Sequence, residues 1–589
     1  MHNLNFQEQQ HLLKFERSLH YIRSIERLSL EASIEELCKL LLLQICIEQD
    51  AGHPLSSFES FLTQKKEEGS NYQMLFERYV PSCAFRGWEQ LRLSGATIFK
   101  VMHELTSDSI FEEYGNAKAR AFSAFLQMHY SGYLSEYSTP QVLNDYIMDV
   151  INPDKVYSLA DPCCGLGGMI AEAVRRSTHV LQVKGYDINQ RMSNTANLHL
   201  MMYGYKADTV ECINILEKAY DFTGSFEMIV SHLPYRRHSF RVDKRITKMT
   251  EKTSLSNQED IFISHILKML KPDGIAAIVV SDDLLLSEHR VESRRWLYEN
   301  VKVLNISRFD GLTYTGGSNI RSYNVLFLRK RRASTSTVCS LSYFNAGIEE
   351  SEIRETAKNL RDIVLSDVNK VSPKNGHTRL FHLSQEDSWN VNLLFAREKM
   401  GGVYETRLLK DLVIHDRQRV EVHEAKIYDQ LTVKNKGLGV VERKGKYIGR
   451  ASSRAVRYIA RSGQLIISSL EADKGAVGIV PASLDGTLVS SYYYLFTIVS
   501  QEVDPDYLMM VLSSEPVLRQ LGVLKRGTIM PRISIERLLS LVIPLPSLNQ
   551  QKALTRRLTD AYNMVRRAQD NLEIEQREFA SRLFGGDLI

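Results

Sequence analysis

The chain has 589 residues, with 74 Lys+Arg against 70 Asp+Glu, 16 His, seven Cys and 43% apolar side chains. That length and balance describe a multidomain globular protein, neither fibrous nor wholly disordered, and no apolar run reaches the ~18–20 residues of a membrane helix. The net charge of +4 is small, yet residues 401–589 hold 27 basic and 21 acidic side chains, an excess that points to an anionic partner for the C-terminal part.

The first residues lack the basic start and apolar stretch of a signal peptide. The cysteines form no CxxC pair and no zinc-spaced cluster. Together these predict a cytoplasmic chain with no disulfide framework and no metal site. Residues 1–130 read as a helical N-terminal domain, because apolar positions recur at three- and four-residue spacing through Ile34, Leu37, Leu41 and Ile45. Residues 131–332 change to short apolar or β-branched runs alternating with helical stretches. The runs are Val156–Ala160, Val180–Tyr186, Phe226–Val230, Ile275–Val280, Val301–Ile306 and Tyr323–Leu328. Such alternation predicts an α/β domain with a largely parallel sheet. Residues 333–404 begin with a polar, basic stretch and read as a connector with some structure of its own. Residues 405–547 are rich in Val, Ile, Tyr, Gly and Ser and read as an α+β domain. In 548–589 the spacing of Leu554, Leu558, Ala561, Val565, Ala568 and Leu572 is a coiled-coil seam on one long helix.

The sharpest local signal is Leu159-Ala-Asp161-Pro162-Cys-Cys-Gly165-Leu-Gly167-Gly168, which follows an apolar strand and opens a helical pattern. Glycines at a strand-to-helix turn allow positive φ and close approach of a ligand to the backbone. The next strand ends in Asp187, where a Rossmann-like fold hydrogen-bonds ribose hydroxyls. Neither a dinucleotide GxGxxG nor a GxxxxGK[ST] phosphate loop occurs. The pattern therefore points to an adenosine-type ligand such as S-adenosylmethionine.

Three segments then carry a resemblance: Ser135-Glu-Tyr-Ser-Thr139-Pro140, Asp161-Pro-Cys-Cys-Gly-Leu-Gly-Gly, and Gly185-Tyr-Asp187-Ile-Asn. Together they resemble the N6-adenine DNA methyltransferases, above all the modification subunit of type I restriction-modification systems. The likeness continues through Gln258-Glu-Asp260-Ile-Phe262, Leu270-Lys-Pro-Asp-Gly274 and Ser322-Tyr-Asn-Val-Leu-Phe327. It implies S-adenosylmethionine as cofactor. Thr139 and Pro140 would lie near its methionine end. Asp161, Pro162, Gly165, Gly167 and Gly168 would underlie its sulfonium and carboxylate. Asp187 would hold the ribose, and Asn214 stands where the family often has an Asp beside the adenine.

The catalytic segment departs from that family. Strand Phe226–Val230 runs into Ser231-His232-Leu233-Pro234-Tyr235, where the family has Asn-Pro-Pro-Tyr or Asn-Pro-Pro-Phe. The family's Asn and a backbone carbonyl accept hydrogen bonds from the target amino group, and the aromatic stacks on a base flipped out of the duplex. Pro234 and Tyr235 are kept here. His232 replaces the Asn, and a neutral imidazole offers one acceptor nitrogen where a protonated one offers none. Two expectations follow: His232 substitutes as acceptor and transfer persists, or the fold binds cofactor and DNA but no longer transfers. Behind this segment, residues 236–252 carry Arg236, Arg237, Lys244 and Arg245 among seven basic residues, which read as phosphate contacts.

Residues 431–461 concentrate Lys434, Lys436, Arg443, Lys444, Lys446, Arg450 and Arg454 with interspersed Tyr447 and Tyr458, a density suited to phosphate and base-edge contacts. Gly463-Gln-Leu-Ile-Ile-Ser468, Lys525-Arg-Gly527 and the segment to Ser534, and Ile543-Pro-Leu-Pro546 running to Gln550-Gln551 resemble one target-recognition half of a type I specificity subunit. The expectation is an adenine-N6 methyltransferase of a restriction-modification or related defence system, fused to its own recognition domain. The resemblance implies double-stranded DNA as partner. It also implies a second copy or another specificity-type helix against the seam, and a separate nuclease or motor subunit. The competing expectation is a catalytically silent recognition subunit.

Overall fold

The computed structural model describes residues 4–51, 61, 71–81, 84–106, 116–130, 139–234, 257–313, 320–330, 338–344, 348–366, 377–382, 389, 391, 394–395, 404–416, 418–420, 423, 426–443, 447–448, 457–524 and 532–584. It divides into two compact units, Met1–Ser388 and Trp389–Ile589. Among the described residues, no helix is long and apolar enough to cross a membrane.

The first unit opens with helices α1 (Phe6–Glu26), α2 (Leu30–Ala51), α3 (Tyr72–Tyr79), α4 (Gly95–Leu105) and α5 (Ala117–Tyr130). α1 starts at a capping box: Asn5 Oδ1 accepts from Glu8 N, and the Glu8 carboxylate accepts from Asn5 N. The periodic residues read from the sequence, Ile34, Leu37, Leu41 and Ile45, are all buried. Their core does not close on itself. It runs on into Leu166, Met192, Leu198 and Met201 of the α/β part, so the helical region and the sheet share one apolar cluster.

Nine strands form the sheet: β1 (Ser158–Asp161), β2 (Gln182–Asp187), β3 (Val210–Cys212), β4 (Phe226–His232), β5 (Leu270–Val280), β6 (Lys302–Thr313), β7 (Ile320–Arg329), β8 (Val338–Phe344) and β9 (Thr378–His382). Their order is β3-β2-β1-β4-β5-β7-β6-β8-β9. The first five run parallel, and β7 inserts antiparallel between β5 and β6. All six apolar runs read from the sequence fall on strands, whereas three-residue β3 was too short to read. Helices α6 (Gln141–Ile151), α7 (Gly168–Arg176), α8 (Gln190–Met201), α9 (Ile215–Lys218), α10 (Gln258–Met269), α11 (Asp282–Leu286), α12 (Val291–Asn300) and α13 (Glu350–Ser366) complete the unit.

The connector assignment for 333–404 needs correction. β8 pairs parallel with β6, β9 pairs antiparallel with β8, and α13 lies along α6 with Arg361 donating to Asp149 O at 2.9 and 2.7 Å. These elements extend the sheet of the first unit. Their alternation was masked by the polar, basic stretch that precedes them.

The second unit is α+β. A four-stranded antiparallel sheet orders the strands Val413–Asp416, Tyr493–Ile498, Leu465–Ser468 and Val477–Ile479, with smaller pairings around it. Its long helix α18 (Leu548–Phe584) follows α14 (Leu409–Leu412), α15 (Pro505–Leu512), α16 (Glu515–Leu524) and α17 (Ile535–Leu539). Gln550 and Gln551 anchor α18. Gln550 Oε1 accepts from Ser547 N at 3.1 Å, while buried Gln551 donates to Glu502 O and Pro546 O, both at 2.7 Å.

Candidate functional site

The strand order reverses direction at β1, with β2 on one side and β4 on the other. In an open α/β sheet the crevice beyond the carboxyl ends of such strands receives ligands. Here it is a cleft of about 410 Å³. Its floor is the turn from β1 to α7. Gly165 and Gly167 have φ of 52° and 76°, a region that favours glycine. A Cβ on Gly167 would also lie 3.1 Å from the Ala196 Cβ on α8, so glycine lets α8 approach the turn.

Two carboxylates fix this turn from neighbouring strand ends. Asp187 Oδ2 accepts from Gly165 N at 2.9 Å and its Oδ1 accepts from Asn189 N at 2.8 Å. Asp161 Oδ1 accepts from Cys163 N at 3.0 Å and from Ser231 Oγ at 2.8 Å, tying β1 to β4. Burial pushes both carboxylates up, Asp161 to about 7, against the lowering effect of these donors. Glu172 on α7 also borders the cleft, but both its oxygens are held by Arg175 and Arg176, so the unpaired negative charge there is that of Asp161 and Asp187. Among the described lining residues there is no Lys or Arg. A cleft of this charge suits a cationic ligand and disfavours a phosphate.

The helical region supplies the opposite wall through Ser123, Leu126 and Gln127 on α5. His199 Nδ1 donates to Leu166 O in the turn at 3.2 Å, and its Nε2 accepts from Ser123 Oγ at 2.6 Å. Burial pushes this imidazole down to about 4, so it is neutral with its proton on Nδ1. Neither Ser123 nor His199 stood in a sequence motif. Their helices bury other polar residues too, Lys118 on α5 and Ser193, Asn194, Thr195 and Asn197 on α8, so nothing in the sequence singled them out.

Of the residues read from sequence, Thr139, Asp161, Pro162, Gly165, Gly168, Asp187, Asn214, His232 and Pro234 all border this cleft. Gly167 shapes the turn, and Pro140 sits at the N-cap of α6. Asn214 caps α9: its Oδ1 accepts from Leu216 N at 3.2 Å, and its Nδ2 donates to Glu217 Oε1 at 2.9 Å. His232 ends β4 at the cleft rim. Its Nδ1 lies 3.1 Å from Thr139 Oγ1, and the Tyr323 ring on β7 meets its ring edge-to-face at 6.0 Å between centroids. Leu233 is buried and its N–H donates to Val279 O at 3.3 Å, a backbone bond that a Pro at this position would lack. Tyr235, Arg236, Arg237, Lys244 and Arg245 lie outside the described residues, as do Lys444, Lys446, Arg450 and Arg454.

In the second unit Lys434, Lys436 and Arg443 are exposed around the hairpin of strands Leu431–Val433 and Val440–Glu442. Lys436 has φ 57°, and the loop is pinned by Lys436 N to Lys474 O at 2.8 Å and Gly437 N to Gly475 O at 2.9 Å. Nearby, the Arg457 guanidinium lies 4.9 Å over the Tyr447 ring.

Residues 120–384 match the N-6 DNA Methylase family. The type II methyltransferase M.VspI of a Vibrio species is 24% identical over 24% of this chain and 36% of its own. The MjaVIII specificity subunit of a type I restriction enzyme of Methanocaldococcus jannaschii is 26% identical over 22% of this chain and 32% of its own. The chain thus spans about a third of the length of these curated relatives. Among solved structures, a type I restriction-modification methyltransferase subunit from Streptococcus thermophilus aligns with 64% of this chain and 96% of its own, at 13% identity and a TM-score of 0.49. The residues that match the N-6 DNA Methylase family, 120–384, span the sheet and the cleft at its strand ends.

Proposed function

We propose that the chain is an S-adenosylmethionine-dependent DNA adenine-N6 methyltransferase that carries its own target-recognition domain. The observation that carries the cofactor reading is the charge of the cleft. Asp161 and Asp187, with no described Lys or Arg in the lining, flank a glycine turn at the switch point, which suits a ligand whose reacting centre is a sulfonium. When bound, the cofactor supplies an electrophilic methyl group.

The chain's own residues then have positioning tasks. Each Asp187 oxygen accepts one backbone N–H and keeps a second lone pair for ribose hydroxyls. Asp161, held by Cys163 N and Ser231, sets negative charge beneath the sulfonium end. In the tautomer that carries its proton on Nδ1 toward Thr139 Oγ1, His232 presents Nε2 as the acceptor nitrogen for the target amino group. Tyr323 braces the imidazole edge-to-face, limiting its rotation. Positioning of this kind supplies most of what transfer to an amine requires.

Recognition is assigned to the second unit. The exposed Lys434, Lys436 and Arg443 suit phosphate contacts. The outward-facing Leu554, Leu558, Val565 and Leu572 on α18, 49, 50, 46 and 58% exposed, suit a second copy or another specificity-type helix.

The replacement of the family's Asn by His232 favours one other reading, a silent recognition subunit serving a separate nuclease or motor. Incubation with radiolabelled cofactor and genomic DNA separates them: label in adenine supports the enzyme, whereas cofactor and DNA binding without label supports the subunit. A His232→Asn protein should transfer about tenfold faster if the weaker acceptor limits the rate, one hydrogen bond's worth. An unchanged rate would show that His232 does not limit transfer.

A further inference from the structure

We infer that Asn144 is a contact to the amino-acid end of the cofactor, its Oδ1 accepting from the α-ammonium. This rests on the cofactor reading above. Asn144 lies on the buried face of α6, among Leu143, Tyr146, Ile147 and Ile151, and is 1% exposed. A carboxamide there is costly unless its polar atoms are paired. Its Oδ1 is buried without a hydrogen-bond partner among the described residues, yet the residue borders the cleft.

The placement names the missing donor. A Cβ built on Gly168, the first residue of α7, would lie 3.5 Å from Asn144 Nδ2, so the carboxamide sits against the N-terminal turn of a nine-residue helix. The first-turn N–H groups of such a helix favour a carboxylate. A zwitterionic amino acid whose carboxylate faces that turn brings an ammonium with it, and an ammonium is a donor with no acceptor capacity. The lining offers the carboxylate of Asp161 to that positive charge, and the orphaned amide oxygen completes its hydrogen bonding.

Calorimetric titration of the full chain tests this with two ligands: S-adenosylhomocysteine, which keeps the amino acid, and 5′-methylthioadenosine, which lacks it. Asn144→Leu should weaken S-adenosylhomocysteine about tenfold or more, as for a hydrogen bond to a charged group, and leave 5′-methylthioadenosine unchanged. Asn144→Asp, which keeps an acceptor, should retain S-adenosylhomocysteine. The ligand-free Asn144→Leu protein should melt no lower than the parent, because it removes a buried unpaired acceptor. Three results would each overturn the inference: unchanged S-adenosylhomocysteine binding, equal loss of both ligands, or loss in Asn144→Asp as large as in Asn144→Leu. A parent that binds neither ligand would refute the cofactor reading instead.

Discussion

Two demands pull the Asp161 proton in opposite directions: burial in the ligand-free fold and the cationic ligand proposed for the cleft. Burial lifts its carboxyl to about 7, above the ordinary value of about 3.9 that it regains on unfolding. Its contribution to ligand-free stability is therefore complete below about pH 4 and is lost as pH rises through 7. Asp161→Asn mimics the protonated form, keeps an acceptor for Cys163 N, and should lose less melting temperature than the parent between pH 6 and 8. A cationic ligand prefers the ionised carboxylate, so the parent's S-adenosylmethionine affinity should rise across the same interval while that of Asp161→Asn stays flat. Thermal melts and titrations at pH 6, 7 and 8 check both signs. The sequence made Asp161 and Asp187 legible because their chemistry depends on place in a strand–turn–helix unit. Ser231, Ser123, His199 and Asn144 were not legible, since their partners come from other strands and helices and only the folded chain brings them together.

Among the elements, the packing of α10 shows how the site's rim is held. Its first turn presents Glu259 and Asp260 inward, where Arg290 donates to Asp260 at 2.5 Å and reaches Glu259 at 3.4 Å, while Ser281, the N-cap of α11, donates to Glu259. Arg290 is 4% exposed. Removing it as Arg290→Met leaves two buried carboxylates without their cation, which should cost about 3–5 kcal/mol in chemical denaturation. The Gln258-Glu-Asp260-Ile-Phe262 segment was readable as a motif, but Arg290 was not, lying thirty residues away in an unremarkable stretch. In the second unit the hairpin at Lys434, Lys436 and Arg443 should behave differently. Changing all three to Gln leaves the backbone bonds of that loop in place and should lower the salt slope of DNA binding by up to about 0.9 per lost phosphate contact. Cofactor affinity should not move, and fluorescence anisotropy at several salt concentrations measures the slope.

At the scale of the whole molecule, the parallel strands were visible as apolar runs because strands buried on both faces need little else. The extent of the sheet was not visible: β8, β9 and α13 follow a polar stretch that reads as a linker, and only their pairing with β6 and α6 assigns them. The boundary that the fold does draw lies at Ser388. A fragment ending there should bind S-adenosylhomocysteine as tightly as the full chain and lose sequence-selective DNA binding, which titration and gel shift would show side by side. A fragment beginning after residue 130 should not fold, because Leu166, Met192, Leu198 and Met201 would lose the helices they pack against. Genetic exchange meets the same contrast. A crossover near residue 389 delivers an intact unit with its own core, so under the proposed assignment a new recognition unit arrives without disturbing the cleft at the strand ends. A crossover near residue 130 joins α5 to a foreign sheet, and it succeeds only if Ser123, His199 and the apolar seam between them are inherited together.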